Sequence, residues 1–185
     1  MPILRRESEI FPADLFSMPA DAPWEIVHVR SRQEKAVARL LTDRQQPFYL
    51  PQVEKKIRRD GRTFTSFLPL FGGYLFIRRT GETRQTLWSA SAIVRLIQVG
   101  DQQLLDSELR QIRTLQEAGA ILVAHPEIAA GDAVRIADGV FQGYLGTVVR
   151  ELDAVRLVVS ITALNKSVTA EFPRESVVSI RTAHP

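Results

Sequence analysis

Apolar and polar residues in the first part of the chain follow two different periods. Residues 24–29, Trp-Glu-Ile-Val-His-Val, are aromatic and β-branched with apolar side chains on both faces, which predicts a central strand. Ser31 and Glu34 have the spacing of a capping box, and apolar residues recur at the helical period from there on. Because Pro47 stops a helix, we expect an amphipathic helix over residues 31–44.

The elements that follow alternate between strands and helices. They are, in chain order, a hairpin over 48–68 with its turn at Asp60-Gly61, a strand over 73–77, a short helix over 82–90, a strand over 93–99 and an amphipathic helix around 105–115 that ends at Gly119. This order predicts an α+β fold in which helices pack against one sheet.

The pattern changes after residue 118. Residues 119–130 carry a single charge and a proline, which predicts a linker. Beyond them the residues alternate strictly, as at 155–161 and 168–172, and turn signals separate about five short strands, which predicts a small closed β-barrel. The predicted organisation is an arm at 1–23, an α+β domain at 24–118, a linker at 119–130 and a barrel at 131–182.

The arm contains four prolines and is predicted to be extended and only partly ordered, although Phe11, Leu15 and Phe16 could hold it on a surface. No apolar stretch is long enough to span a membrane, since Pro69 and two glycines interrupt residues 67–77. We therefore expect a soluble, cytoplasmic protein.

Composition excludes several classes of protein. The chain has 185 residues, 45% of them hydrophobic, which is too apolar for a disordered chain. Without cysteine there is no disulfide, thiolate nucleophile or cysteine-based zinc site. His28, His125 and His184 lie too far apart in sequence for a local ligand pair. A strand follows Gly146, so the glycines before it suit turns better than a phosphate loop. We predict no enzymatic activity, no cofactor and no metal site.

Three segments carry a family resemblance. Residues 24–35, W-E-I-V-H-V-R-S-R-Q-E-K, resemble the opening strand and helix of the NGN domain of NusG-type transcription elongation factors. Residues 68–77, L-P-L-F-G-G-Y-L-F-I, resemble the central motif of that domain, and residues 131–149 are similar to the KOW motif. Residues 164–168 and 69–71 look more like the specialised paralogues of the family, RfaH among them, than like housekeeping NusG.

The resemblance implies a fold and a function. The fold would be an NGN domain, with an antiparallel sheet and flanking helices of RNP-like type, followed by an SH3-like KOW barrel. The function would be that of a non-enzymatic elongation or antitermination factor, which binds RNA polymerase at the clamp helices of the largest subunit and suppresses pausing. The barrel would bind the termination factor Rho or a small-subunit ribosomal protein. We expect a monomer.

The resemblance also carries over individual contact residues. The polymerase-docking aromatics of the family fall on Tyr74 and Phe76, and His28 lies at a matching position on the neighbouring strand. From periodicity alone Phe76 would be a core residue, but the resemblance assigns the pair to the interface. The other implied contacts are Arg30 and Arg32 beside this surface, Gln85 and Thr86 toward the opposite polymerase lobe, and, in the barrel, Phe141, Ile161, Leu164 and Lys166. Phe141 fits a core position equally well.

The predicted hairpin is strongly basic. Residues 24–118 carry 16 basic and 10 acidic residues, whereas residues 131–185 carry 6 of each. A run of charge is often only solvated surface, but cations without an aromatic ladder suit phosphate contacts better than base readout. We predict that the hairpin contacts DNA or RNA near the transcription bubble through Lys55, Lys56, Arg58, Arg59 and Arg62.

Two other functions stay open on the sequence. A ribosome-associated KOW protein that binds RNA would be expected to have a basic barrel, whereas residues 131–185 are neutral overall. An adaptor whose NGN domain no longer engages polymerase differs from the leading interpretation only in polymerase binding. The alternation after residue 154 favours a stable barrel over one that refolds into helices.

Overall fold

The computed structural model describes residues 5–19, 21–125, 132–135, 145–151, 154–164 and 166–172. The chain divides into two compact units, of which the first ends at Gln102 and the second begins at Gln103. In the described part of the chain, no helix has the length and apolar character needed to cross a bilayer.

The first unit is built on a five-stranded antiparallel sheet and a separate hairpin. In chain order its elements are β1 (Ile10–Phe11), β2 (Trp24–Val29), α1 (Glu34–Asp43), β3 (Phe48–Tyr49), β4 (Gln52–Arg59), β5 (Arg62–Pro69), β6 (Tyr74–Arg78), α2 (Thr83–Trp88) and β7 (Ile93–Gln98). The strand order of the sheet is β1-β3-β6-β2-β7. The predicted α+β class and the central position of β2 are confirmed.

Both faces of this sheet are covered. Because side chains alternate along a strand, Val27, Leu75 and Ile77 point to one face, where they pack with the apolar residues of α1 and α2. The opposite face, which we call the aromatic face, carries seven side chains from the three inner strands. They are Trp24, Ile26, His28, Tyr49, Tyr74, Phe76 and Arg78.

Helix α1 begins differently from the prediction, because the capping box of Ser31 and Glu34 does not form. Arg32 has a φ of 65°, so the chain turns in a left-handed conformation, and Gln33 at the N-cap makes no side-chain cap. The Glu34 carboxylate is buried and accepts a hydrogen bond from the Gly73 N–H at 2.6 Å. Glu34 therefore ties the start of α1 to the turn before β6.

The hairpin turn is confirmed. The pairing of β4 with β5 runs from Gln52 opposite Pro69 to Arg59 opposite Arg62. In the two-residue turn between the strands, Asp60 and Gly61 have φ values of 51° and 74°. Two positive φ values are the signature of the type I′ turn that an Asp-Gly pair predicts. The hairpin is shorter than expected, because residues 48–49 pair with β6 in the main sheet instead.

The second unit contains most of a long helix and a second antiparallel sheet. Its elements are α3 (Gln102–Glu117), whose first residue belongs to the first unit, β8 (Leu122–His125), β9 (Asp132–Arg135), β10 (Leu145–Glu151), β11 (Ala154–Ile161) and β12 (Lys166–Phe172). The strand order is β8-β12-β11-β10-β9. Closure into a KOW barrel stays a prediction.

Two features differ from the predicted organisation. The segment expected to be a linker contains β8, which pairs with β12 and places Val123 opposite Thr169. The continuous apolar run over residues 120–124 suits a strand, a signal that the nearby proline obscured. Helix α3 was expected in the first domain, but all of it except Gln102 lies in the second unit.

The helix-covered core gives a direct stability prediction. Leu41 on α1 is fully buried in it, whereas its neighbour Leu40 is only half-buried. We expect Leu41→Ala to destabilise the first unit by about 2–5 kcal/mol, because it leaves a cavity, and Leu40→Ala by about 1 kcal/mol or less. Urea unfolding followed by tryptophan fluorescence measures this, since both tryptophans lie in the first unit. Equal costs for the two variants would contradict the assigned packing.

Candidate functional site

One end of the aromatic face is formed by a stacked pair of rings. His28 and Tyr74 are direct partners across β2 and β6, with ring centroids 4.9 Å apart and planes 15° from parallel. Both side chains are half-buried, so part of each ring is accessible. The Nδ1 atom of His28 is buried without a hydrogen-bond partner, which costs stability.

The turn before β6 supports this pair. Gly73 has a φ of 84°, and its carbonyl accepts a hydrogen bond from the Val29 N–H at 2.8 Å. A Cβ atom on Gly73 would meet the His28 ring at 3.7 Å, besides being strained by the positive φ. Together with the bond from Gly73 to Glu34, these contacts fix where Tyr74 begins the strand.

Phe76 requires a correction. It was predicted as a docking aromatic together with Tyr74, but it is 0% exposed. Its ring lies edge-on to Phe71 at 5.8 Å and tilted to Tyr49 at 6.5 Å. Phe76 is therefore a core residue here, as periodicity alone suggested. A partner reaches only the His28 end of the aromatic face in this structure.

The arm covers the other end of the aromatic face. Leu15 is fully buried, and the ring of Phe16 lies 5.6 Å from Trp24 and 5.4 Å from Tyr49 between centroids. Arg78 donates hydrogen bonds of 2.8 Å to the carbonyls of residues 18 and 19. The arm was predicted to be only partly ordered, and this docking corrects that expectation for residues 5–19.

The predicted cations beside the pair differ in position. Arg30 and Arg32 are both exposed, and Arg32 lines a cleft of about 930 Å³ that also includes His28 and the start of α1. Lys35 lies in the same cleft, where burial lowers the pKa of its ammonium group and its Nζ donates to the carbonyl of Arg5. This side of the pair is therefore cationic.

The two contacts predicted on α2 are available at the surface. Gln85 is exposed and Thr86 is half-buried. The helix is anchored from below by Thr83, whose hydroxyl donates to Gln46 at 2.9 Å and accepts the Thr80 N–H at 2.9 Å. This polar network holds α2 in place beneath its exposed residues.

The hairpin cations do not form a single patch. The register places Lys56 and Arg58 on one face of the hairpin, beside their cross-strand partners Thr65 and Thr63. Lys55 and Arg62 lie on the other face. All four are exposed, and nothing is described for the side chain of Arg59. The second face also carries Ile57 and Phe64 as direct partners, an apolar pair that the sequence reading overlooked.

The predicted partner-binding segment of the second unit is only partly accessible. Ile161 is fully buried, whereas Leu164 and Lys166 are half-buried, and Phe141 lies outside the described residues. The burial of Ile161 corrects its assignment as a contact residue. A 3₁₀ turn, Thr162–Leu164, follows Ile161 and leads to β12.

Glu108 of α3 holds the start of this turn. Its carboxylate is 6% exposed and accepts hydrogen bonds from the Thr162 N–H at 3.1 and 3.2 Å and from the Thr162 hydroxyl at 2.5 Å. The helix is thereby fixed to the segment that was predicted to bind partners. Sequence periodicity did not single out Glu108, because its partner lies 54 residues away.

The first unit is thus an α+β domain, with an aromatic sheet face and a basic hairpin as its prominent surfaces. Residues 22–113 match the model of the family NusG, described as transcription termination factor nusG. The chain belongs to the NusG family, whose members are non-enzymatic transcription factors. The match ends within α3, so the resemblance of the second unit to a KOW domain stays a prediction.

The other comparisons add little. No curated protein matches the chain significantly. Among solved structures, the crystal structure of the MjSpt4:Spt5 complex in conformation B covers 85% of this chain and 96% of its own, with 17% identity and a TM-score of 0.28. That likeness is too low to support a conclusion about this chain.

The bonds between Glu108 and Thr162 generate a prediction with a matched control on the same helix. Glu108→Ala removes a buried carboxylate that accepts from both the N–H and the hydroxyl of Thr162, so we expect the second unit to lose about 1–3 kcal/mol of stability. Glu117→Ala removes only an exposed ion pair with Arg113 and should cost less than about 0.5 kcal/mol. Hydrogen exchange at the amides of β11 and β12 measures both. Equal protection in the two variants would show that Glu108 does not hold the turn.

Proposed function

We propose that this chain is a transcription elongation factor that binds RNA polymerase through the aromatic face of its first unit. The observation that carries the proposal is the His28–Tyr74 pair, two stacked and partly exposed rings on the central strands of a NusG-family domain. Flat aromatic surfaces of this kind are common anchors for an amphipathic helix of a partner. The clamp helices of the largest polymerase subunit are the partner that the family resemblance implies.

The cations around the pair suit the same partner. Arg30 and Arg32 are exposed beside it, and Arg32 shares the cleft with His28. Acidic side chains on the partner helices would pair with them, which favours fast association and correct orientation more than raw affinity. His28 keeps its orphaned nitrogen at a cost to stability, which fits a residue retained for binding.

The family resemblance implies that pausing is suppressed through contacts on both sides of the polymerase cleft. We propose that Gln85 and Thr86 on α2 provide the second contact, on the lobe opposite the clamp. A factor fixed at two points holds the cleft closed without catalysing any reaction.

We propose that the hairpin contacts nucleic acid through its phosphates. Exposed Lys56 and Arg58 lie on the hairpin face that also carries Thr63 and Thr65, so charge and hydroxyl donors are presented together. Such donors fix the position of a nucleic acid without reading its sequence.

We further propose that the second unit recruits another partner, Rho or a small-subunit ribosomal protein. Leu164 and Lys166 are the half-buried residues that support this part of the proposal. The factor would act in the cytoplasm as a monomer.

The docking proposal predicts a selective loss of affinity. Tyr74→Ala should weaken binding of purified RNA polymerase by at least about tenfold, because it removes a central aromatic anchor. Leu104→Ala is the matched control, since it removes an exposed apolar side chain outside the aromatic face. Biolayer interferometry with immobilised protein measures both. Wild-type affinity in Tyr74→Ala would contradict the docking site, and no binding by the wild type would contradict the function.

The hairpin proposal predicts a change in salt dependence. Replacing Lys55, Lys56, Arg58, Arg59 and Arg62 with Gln should reduce the slope of log affinity for a DNA bubble against log salt by up to about 4, at roughly 0.9 per lost phosphate contact. The control replaces Arg110 and Arg113, which form ion pairs on α3. An unchanged slope in the hairpin variant would contradict the proposal.

The two faces of the hairpin can be separated in the same assay. We expect Lys56→Gln with Arg58→Gln to reduce the slope more than Lys55→Gln with Arg62→Gln, because the threonines beside the first pair add phosphate donors. The opposite order would assign the contact to the face that carries Ile57 and Phe64.

A further inference from the structure

The arm completes the sheet of the first unit and covers half of its aromatic face. Strand β1 pairs with β3 and places Ile10 opposite Tyr49, so Ile10 lies on the aromatic face. The ring of Phe16 then lies against Trp24 and Tyr49, and Leu15 beside it is fully buried. The arm is thus an internal ligand of a surface whose other end is the proposed docking pair.

The covered residues are large and continuous with that pair. Trp24 is 1% exposed and Tyr49 and Phe76 are 0% exposed, although all three lie on the same sheet face as His28 and Tyr74. Without Phe16 against them, the rings of Trp24 and Tyr49 would extend the accessible surface beyond the pair. An amphipathic helix needs apolar contacts along several turns, and the exposed rings of one pair supply few of them.

The arm is held by contacts that can open without unfolding the domain. Strand β1 has two residues, which is short for a strand and places it at the edge of the sheet. Apart from the apolar anchors Leu15 and Phe16 and the Arg78 bonds to residues 18 and 19, the attachment is polar. Glu7 exchanges hydrogen bonds with Gln52 and pairs with Arg39 at 2.6 Å, and the Leu50 N–H donates to the carbonyl of Glu9. Exposed ion pairs and edge pairings belong to the low-stability end of local opening.

The charges of the arm and of the domain favour a reversible attachment of the arm. Residues 1–23 carry 4 acidic and 2 basic residues, against the basic excess of residues 24–118. A partner with acidic side chains, attracted by the same cations, would compete with the arm for charge as well as for apolar surface.

We propose that the arm is a displaceable cover of the docking face, and that polymerase helices compete with Phe16 for the rings of Trp24 and Tyr49. The inference rests on the proposed function and adds its regulation. When the arm is docked, only the His28–Tyr74 end is available, and full affinity requires that the arm leave the sheet. The measured affinity is then the intrinsic affinity reduced by the fraction of molecules with the arm open.

The first test releases the arm. Leu15→Ser with Phe16→Ser removes its apolar anchors, whereas Asp14→Ala with Ser17→Ala changes two exposed residues of the same turn as a control. We expect the release variant to bind purified RNA polymerase at least about fivefold more tightly than the wild type, and the control to bind unchanged. In a Trp88→Phe background, acrylamide quenching of Trp24 reports whether the arm has left. Unchanged or weaker polymerase binding with Trp24 exposed would overturn the proposal.

The second test closes the arm and does not depend on the folding of the release variant. The chain has no cysteine, so Ile10→Cys with Tyr49→Cys introduces one disulfide between directly paired strand positions. The reduced form of the same molecule is the control. We expect oxidation to weaken polymerase binding at least about fivefold and reduction to restore it. Equal affinity in both redox states would overturn the proposal.

The failure of the inference can be told apart from failure of the proposed function. If the wild type binds polymerase through Tyr74 but neither arm variant changes the affinity, the docking face stands and the arm is only a structural part of the fold. If no variant binds polymerase in any redox state, the proposed function is wrong and the inference falls with it.

Discussion

The pairing of β2 with β6 is the constraint on which the first unit depends. These two strands occupy the middle of the sheet and are buried on both faces, so a single register determines both the core and the aromatic face. It places Val27 beside Leu75 under the helices and His28 beside Tyr74 on the opposite side. A slip of one residue would exchange the two faces, which is why a strongly apolar strand is needed here. The site and the fold are therefore specified by the same hydrogen-bond ladder.

Long-range polar contacts then fix the elements around this pair. Glu34 holds the turn at Gly73, and Gln102 accepts from the Trp24 N–H at 2.7 Å and donates to the Trp24 carbonyl at 3.0 Å. In the second unit Glu108 does the same for Thr162. Each of these side chains satisfies backbone groups at an end of a strand or at a turn, where no ladder partner is available. Substituting them would loosen the position of a surface before it affected the core.

The local features of this fold can be predicted from the sequence, whereas the tertiary contacts cannot. The strand at β2 and the type I′ turn at Gly61 follow from residue type and period within a few positions, and both are confirmed. The capping box failed because the Glu34 carboxylate is used by a residue 39 positions away. No local sequence pattern predicts a hydrogen bond across that sequence separation.

The candidate site shows the same division. The juxtaposition of His28 and Tyr74 follows from two strands that the family resemblance aligns, and the structure brings them into contact. Periodicity indicated the burial of Phe76, whereas the family resemblance assigned it to the interface, and the structure packs its ring against Phe71 and Tyr49. The strand β8 within the expected linker likewise exists only through its partner strand β12.

The most direct test of the central claim, that polymerase and the arm use one sheet face, is hydrogen exchange of the full chain with and without saturating RNA polymerase. We predict that amides of Ile10 and Phe11 and of the turn Leu15–Ser17 exchange faster in the complex, because the arm leaves the sheet, while amides around His28 and Tyr74 exchange more slowly. Unchanged or increased protection of the arm, with no change at His28 and Tyr74, would contradict the claim.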